Sequence, residues 1–294
     1  MKQTLTGWTA LAAIVVGLGS ATPALAIFDD LEYSPRAAGL GGAYAGLSDD
    51  ATAVFYNPAG LAGLTDYSFH GTFFEPFNLG FHKASAAAFA MPTDNWGSFG
   101  IGYSDFRVDY LGSTLSIERT VTLSHGLVLM EDISSSLTFG YNINLYNLDY
   151  PTTSVSGLDL GSETTLGVDI GFQATVRERT TAGVFAKNVN AATMGDPVAT
   201  DLPQRVSAGM AYRPYDGVVT AVEFEKELGE EIQFHGGMEF RIADPLTLRF
   251  GTQTKPNLFD IGIGIKYAQV DLDFTFTNHP VLEETFRYGV GLRF

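Results

Sequence analysis

The sequence predicts an all-β fold: a transmembrane antiparallel β-barrel of about 14 strands with an N-terminal luminal hatch containing short helical turns. Two observations lead there. From Tyr67 to Phe294 the apolar residues recur at every second position, so that one face of each segment is apolar and the other is polar or small. No stretch approaches the roughly 20 consecutive apolar residues of a spanning helix, so any membrane must be crossed by strands. The links between segments supply a third observation, taken up below.

Residues 1–26 have the form of a secretory signal, with Lys2 ahead of the apolar run Ala10 to Leu18 and a small-x-small cleavage site at Ala24-Leu25-Ala26. The mature chain is expected to begin at Ile27, and residues 27–66 to form the hatch. The stretch Ser34 to Leu64 is crowded with Gly and Ala and lacks the alternation seen later. Asp49-Asp50 ahead of Ala51 and Asn57 ahead of Pro58 are helix-start signals, so two short helical pieces are expected.

Residues 67–294 are expected to form the wall, with strands near 67–74, 78–91, 96–104, 114–129, 135–148, 163–176, 180–187, 204–213, 217–225, 231–242, 246–253, 258–267, 269–277 and 285–294. The last strand is the clearest: Phe286, Tyr288, Val290, Leu292 and Phe294 share one face, and Arg287, Gly289, Gly291 and Arg293 the other. An apolar outside and a polar inside suit lipid and lumen respectively. Short links at 92–95, 131–134, 177–179, 214–216, 243–245 and Ala268 alternate with positions that include long ones, 105–113, 149–162, 188–203 and 278–284. Such parity belongs to a barrel with a periplasmic and an extracellular rim, and an even strand number places the hatch entrance at the periplasmic one.

In the order Arg36-Ala37-Ala38-Gly39-Leu40-Gly41-Gly42-Ala43, Asp49-Asp50-Ala51 and Tyr56-Asn57-Pro58-Ala59-Gly60-Leu61-Ala62, the N-terminal stretch resembles the hatch of the FadL-type outer-membrane barrels. That superfamily includes long-chain fatty acid transporters and shorter PorV-like proteins. The resemblance implies residence in the outer membrane among its lipids and one of two functions: passive transport of a hydrophobic, fatty-acid-like molecule, or a binding or scaffold role in an envelope or secretion assembly. The short loops depart from the fatty acid transporters, whose first ligand site lies in long extracellular loops. Phe294 on its alternating strand resembles the C-terminal signal read by the barrel assembly machinery.

Composition narrows the alternatives. A net charge of −16 without a basic cluster leaves no electrostatic footprint for nucleic acid. With no Cys, disulfides and thiolate metal sites are excluded. Ser124 and His125, as chain neighbours, point to opposite faces of one strand, and the other histidines lack metal-ligand spacing, so neither catalytic nor metal nor cofactor residues are expected.

The candidate site is therefore the hatch and the lumen around it. The ligand path is expected along Arg36, Leu40, Tyr44, Leu47, Asp49, Asp50, Val54, Phe55, Asn57 and Pro58. Outward parity changes between Trp96 and Phe99 with Gly97 and Gly100 between them, which predicts a kink, and the resemblance makes such a kink a lateral opening to the membrane. Glu239, Arg241, Arg249, Lys266, Asp271, Asp273, Arg287 and Arg293 are expected as a luminal charge ladder, either structural or lining a hydrated path. Ala84, Ala86, Ala88 and Ala90 leave space on one strand face, where the hatch is expected to pack.

Overall fold

In the computed structural model, which describes residues 28, 31–151, 161–195 and 199–294, fourteen antiparallel strands close into one barrel. Residues 1–26, expected to be a secretory signal, lie outside the described residues. The wall strands are β1 (Ser68–Glu75), β2 (His82–Thr93), β3 (Gly97–Tyr110), β4 (Ser113–Asp132), β5 (Ser135–Tyr150), β6 (Gly161–Val176), β7 (Thr180–Lys187), β8 (Arg205–Tyr212), β9 (Val218–Glu227), β10 (Gln233–Ala243), β11 (Leu246–Gln253), β12 (Leu258–Tyr267), β13 (Val270–Asn278) and β14 (Thr285–Arg293). Each pairs with its neighbours in the chain, and β14 returns to β1 with Phe73 opposite Tyr288. Backbone bonds between Tyr67 and Phe294, 3.1 and 3.0 Å long, extend this seam.

The predicted faces are the observed ones. In β14, Tyr288, Val290 and Leu292 are exposed outward and Arg287 is buried inward, and in β6 Leu166 and Phe172 face out while Asp169 is buried. Such an outside is apolar enough to meet only lipid along this belt.

One rim carries only turns of two to five residues, and the other carries the longer links, among them 188–204. Within that link a two-stranded ribbon pairs Met194 with Thr200. The expected long loop at 105–113 is instead a two-residue hairpin turn, Leu111-Gly112, with φ of 49° and 81° at the two positions. The strands continue past Asp105 because pairing does not require an apolar outside; only the alternation ends there. As a result β3 to β6, with up to 20 residues in β4, stand taller than the eight-residue β7 and β8.

The hatch lies inside the barrel and packs against its wall. Helix α1 (Pro35–Ala38) is capped by Ser34, whose Oγ accepts from Ala37 N at 3.3 Å. Before α2 (Ala53–Tyr56), Asp50 Oδ1 accepts from Thr52 N at 2.9 Å. Asn57 starts a 3-10 turn over Pro58–Gly63 by accepting from Ala59 N at 3.2 Å, and its amide donates to the carbonyls of Ala45 (2.8 Å) and Phe172 in β6 (3.1 Å). Ala88 and Ala90 of β2 pack on Ala51, Ala53, Val54 and Leu61, so the alanine face does receive the hatch. At Gly140 a side chain would fall on the Pro58 carbonyl carbon and the Ala59 nitrogen, so this wall position must be glycine for the turn to seat.

Candidate functional site

The hatch divides the lumen into two chambers of different chemistry. Toward the turn-bearing rim lies a polar vestibule of about 750 Å³, reached by Arg36, Asp49, Asp50, His70, Glu239 and Arg249. Toward the loop-bearing rim lies a pocket of about 250 Å³ lined by aromatic rings: Phe28, Tyr33 and Phe55 from the N-terminal segment, and Phe77, Phe106, Tyr146 and Phe185 from the wall and its first loop.

The ten path residues consequently separate into groups. Val54 and Phe55 line the aromatic pocket. Leu40, Tyr44 and Leu47 do not; they are buried against Ala211, Val219 and Ala221 of β8 and β9 and hold the hatch to that wall. Asn57 and Pro58 belong to the turn seated on β5 and β6. Arg36, Asp49 and Asp50 face the vestibule, where they form a knot.

That knot begins at Arg36, whose Nη1 bonds Asp49 Oδ1 at 2.5 Å, Tyr44 OH at 3.0 Å and Asp50 Oδ2 at 3.3 Å. Its Nε reaches Glu239 on β10 at 3.0 Å. Arg249 bonds the same Glu239 oxygen at 2.7 Å and Asp273 at 2.6 Å, and Arg213 takes the other side of Asp49 at 3.0 Å. Burial alone would raise the Asp50 carboxyl, but the Arg36 guanidinium, His70 and bonds from Thr52 and Tyr44 hold it below its ordinary range. Charges arranged so are fixed in place by each other and bind the hatch to β10, β11 and the turn after β8.

Only part of the expected ladder joins this knot. Glu239, Arg249 and Asp273 belong to it, while Arg293 pairs with Asp271 at 2.6 Å nearer the rim. Arg287 lies deeper, bonding Glu32 O at 2.9 Å and Thr277 at 2.7 Å with its guanidinium 4.8 Å from the Phe74 ring centre. Arg241 and Lys266 are exposed on the vestibule wall. The ladder is thus four separate groups: the knot, the Arg293–Asp271 pair, Arg287 against the hatch, and the exposed Arg241 and Lys266.

The kink expected between Trp96 and Gly100 is absent from the pairing. Trp96 precedes β3 in a turn closed by Trp96 N to Thr93 Oγ1 at 3.2 Å, and Gly97 has φ of 74°. Gly97 to Gly100 pair with Thr93 to Ala90 of β2, and Ser98 to Gly100 pair with Gly126 to Ser124 of β4, without a register shift. The parity change reflects the turn. Register shifts fall instead at Val108/Asp109, Val128/Met130 and Arg241/Ala243.

Sequence reasoning missed the aromatic pocket. Its wall rings come from β3, β5 and β7, and the signal available was their parity: Phe106, Tyr146 and Phe185 stand on the luminal face of their strands. Polar support is equally dispersed. Asp169 accepts from Asn142 at 3.0 Å, Asn144 at 2.7 Å and the backbone of Asn188 at 2.9 Å, and Asn142 also donates to Val54 O of the hatch at 3.0 Å. Phe28 meets Tyr146 edge-on at 5.1 Å, and its backbone N donates to Glu118 at 2.8 Å. The 188–204 link folds back here, with Met194 and Leu202 buried beside Phe28 and Leu148. Ser124 and His125 do point to opposite sides: Ser124 Oγ donates to Asn142 at 2.6 Å, and His125 stacks outside on Phe99 at 4.4 Å.

No protein-family model matches the sequence, and no curated protein sequence does. Solved structures do. The monoaromatic hydrocarbon channel CymD is similar at a TM-score of 0.61 with 12% identity, over 91% of this chain and 99% of that one. The toluene transporter TodX of Pseudomonas putida is similar at 0.58 with 10% identity, over 91% and 99%. A FadL homologue of Pseudomonas aeruginosa is similar at 0.57 with 12% identity, over 87% and 97%. The chain has the FadL-type barrel fold.

Proposed function

We propose that this protein is a passive outer-membrane channel for a small hydrophobic molecule. Its longer loops face outward and its short turns face the periplasm, as strand parity directs. The observation that carries the reading is the aromatic pocket of about 250 Å³ on the outer side of the hatch, backed by a polar vestibule. An apolar solute gains free energy by leaving water for such a pocket, at roughly 25 cal/mol per Å² of apolar surface buried. Movement of the hatch then lets it pass.

Pocket size bears on the solute. Drug-sized ligands occupy cavities of about 300–1,000 Å³, so this one suits a single ring or a short chain better than an extended long-chain fatty acid. The similar structures include proteins named as a monoaromatic hydrocarbon channel and a toluene transporter, which supports the same reading.

The test is binding of naphthalene, followed by its own fluorescence, to the detergent-solubilised protein. Saturable binding that toluene competes for, and that Phe106→Asp or Phe185→Asp abolishes, is expected. Binding equal in wild type and both variants would overturn the assignment of the pocket.

A further inference from the structure

On the outer face of β2 to β5 the register places successive rows of side chains. Phe89, Ile101, Leu123 and Ile143 form one row, and two residues toward the loop rim Ala87, Tyr103, Val121 and Leu145 form the next. Both rows are apolar or aromatic. The two rows beyond are Ser85, Asp105, Arg119 and Asn147, then Lys83, Arg107, Ile117 and Asp149. The outside therefore changes from apolar to charged within one step.

Height decides what these charges meet. Strands rising about 3.4 Å per residue at a tilt near 40° separate rows by roughly 5 Å along the barrel axis. A bilayer with a core near 30 Å and a total of 40–45 Å has a head-group layer of about 5–7 Å on each side. With the Tyr103 row at the edge of the core, Arg119 lies within the outer head-group layer, and the backbone of Lys83 and Arg107 stands about 10 Å from the core, a few ångströms above that layer, from where their long side chains reach back to it.

We infer that this face binds the phosphorylated head group of an outer-leaflet lipid, with Lys83, Arg107 and Arg119 as its cations. A groove of about 480 Å³ opens there, lined by Lys83, Arg107, Asp109 and Thr114 and flanked by Phe81 and Leu111. Arg107 is held loosely, 3.9 Å from Asp105, while Arg119 lies 3.8 Å from Asp105 and donates from Nη1 to Asn147 at 3.3 Å and Asp149 at 3.4 Å. Arg107 Nε is buried without a hydrogen-bond partner, while the side chain as a whole is 42% exposed. Lys83 is engaged by Asp109 at 3.1 Å. Phosphate oxygens accept bidentate bonds from guanidinium groups, and the long Arg107–Asp105 pair leaves that capacity unfilled. The apolar flanks suit the top of the acyl chains. The inference rests on the outer-membrane reading above.

The test is native mass spectrometry of the purified protein with a bis-phosphorylated glycolipid, the same glycolipid dephosphorylated, and free pyrophosphate. Several-fold preference for the phosphorylated lipid is expected, falling to parity in Lys83→Gln/Arg107→Gln and persisting in the control Lys226→Gln, which changes a cation on β9. Equal retention of both lipids, or a preference unchanged in the double variant, would overturn the inference. Displacement by pyrophosphate at low concentration without preference between the lipids would make this a free-anion site and overturn it too. Heat-dependent gel mobility of each variant reports whether the barrel is assembled, so failure of the membrane reading is distinguishable from failure of the lipid site.

Discussion

Arg36 of the hatch and Glu239 of β10 form a two-point pair, with Nε and Nη2 at 3.0 and 3.3 Å from the two carboxylate oxygens. They are 203 residues apart in the chain, and Arg249 holds the same carboxylate from the wall side. Breaking a buried ion pair by removing one partner costs about 3–5 kcal/mol. Here Glu239 retains Arg249 and Asp49 retains Arg213, so Arg36→Met should loosen the hatch by the lower end of that range, about 3 kcal/mol. The wall strands are closed by their own backbone ladder and should still assemble. Planar-bilayer conductance should rise while heat-dependent gel mobility is retained, and unchanged conductance would mean that the knot does not hold the plug.

Gly140 gives an independent way to unseat the hatch, because it tests fit and not charge. In Gly140→Val the side chain would meet the Pro58–Ala59 peptide, which is backbone and cannot move aside without moving the turn. The expected outcome is an assembled barrel in which protease cleaves the hatch from the vestibule side. A fully protected hatch would show that β5 bends instead.

Much of this was legible in the sequence because lipid imposes one uniform demand on every outward side chain. Ile261, Ile263 and Ile265 show it within a single strand. Where that demand stops, legibility stops: β3 runs on past Asp105 with charge outside, and alternation no longer marks it as a strand. Trp96 misled for a related reason, since a turn residue carries no facing at all. In the hatch, Asn57 was readable as a cap because the partner of its Oδ1 lies two residues away. Phe106, Tyr146 and Phe185 each look like a single exception to luminal polarity, and only barrel closure brings them together as a pocket.

The pH dependence of the plug follows from the hatch carboxylates. Asp50 is held below its ordinary value of 3.8, so its contribution to anchoring is complete above that value and is lost only as pH falls through the depressed one. Glu32 has the opposite sign. Burial raises it above its ordinary 4.5, outweighing His235 and Tyr56, so its ionised form opposes folding and acidification relieves this. Conductance measured at about pH 7 and again at about pH 5 should show no opening of the plug, with leakage beginning only below the ordinary carboxylate range. Opening between pH 7 and pH 5 would place the controlling titration elsewhere.

Pinning the hatch separates a channel from a scaffold. A Cβ built on Gly126 of β4 lies 3.0 Å from Leu61 Cβ in the 3-10 turn, inside the 3.5–4.5 Å usual across a disulfide, and 2.7 and 2.8 Å from Ala62 N and Pro58 O, so Leu61→Cys/Gly126→Cys bridges once the turn has moved off the wall by several tenths of an ångström. The chain has no Cys of its own to compete. If solute must pass the hatch, the oxidised variant should still bind naphthalene in the aromatic pocket but fail to deliver it across a reconstituted membrane, and reduction should restore delivery. A protein whose partners contact only the rims would be indifferent to the bridge. Equal delivery in the oxidised and reduced states, with the disulfide verified by mass spectrometry, would reject passage through the hatch and leave the proposed channel without a route.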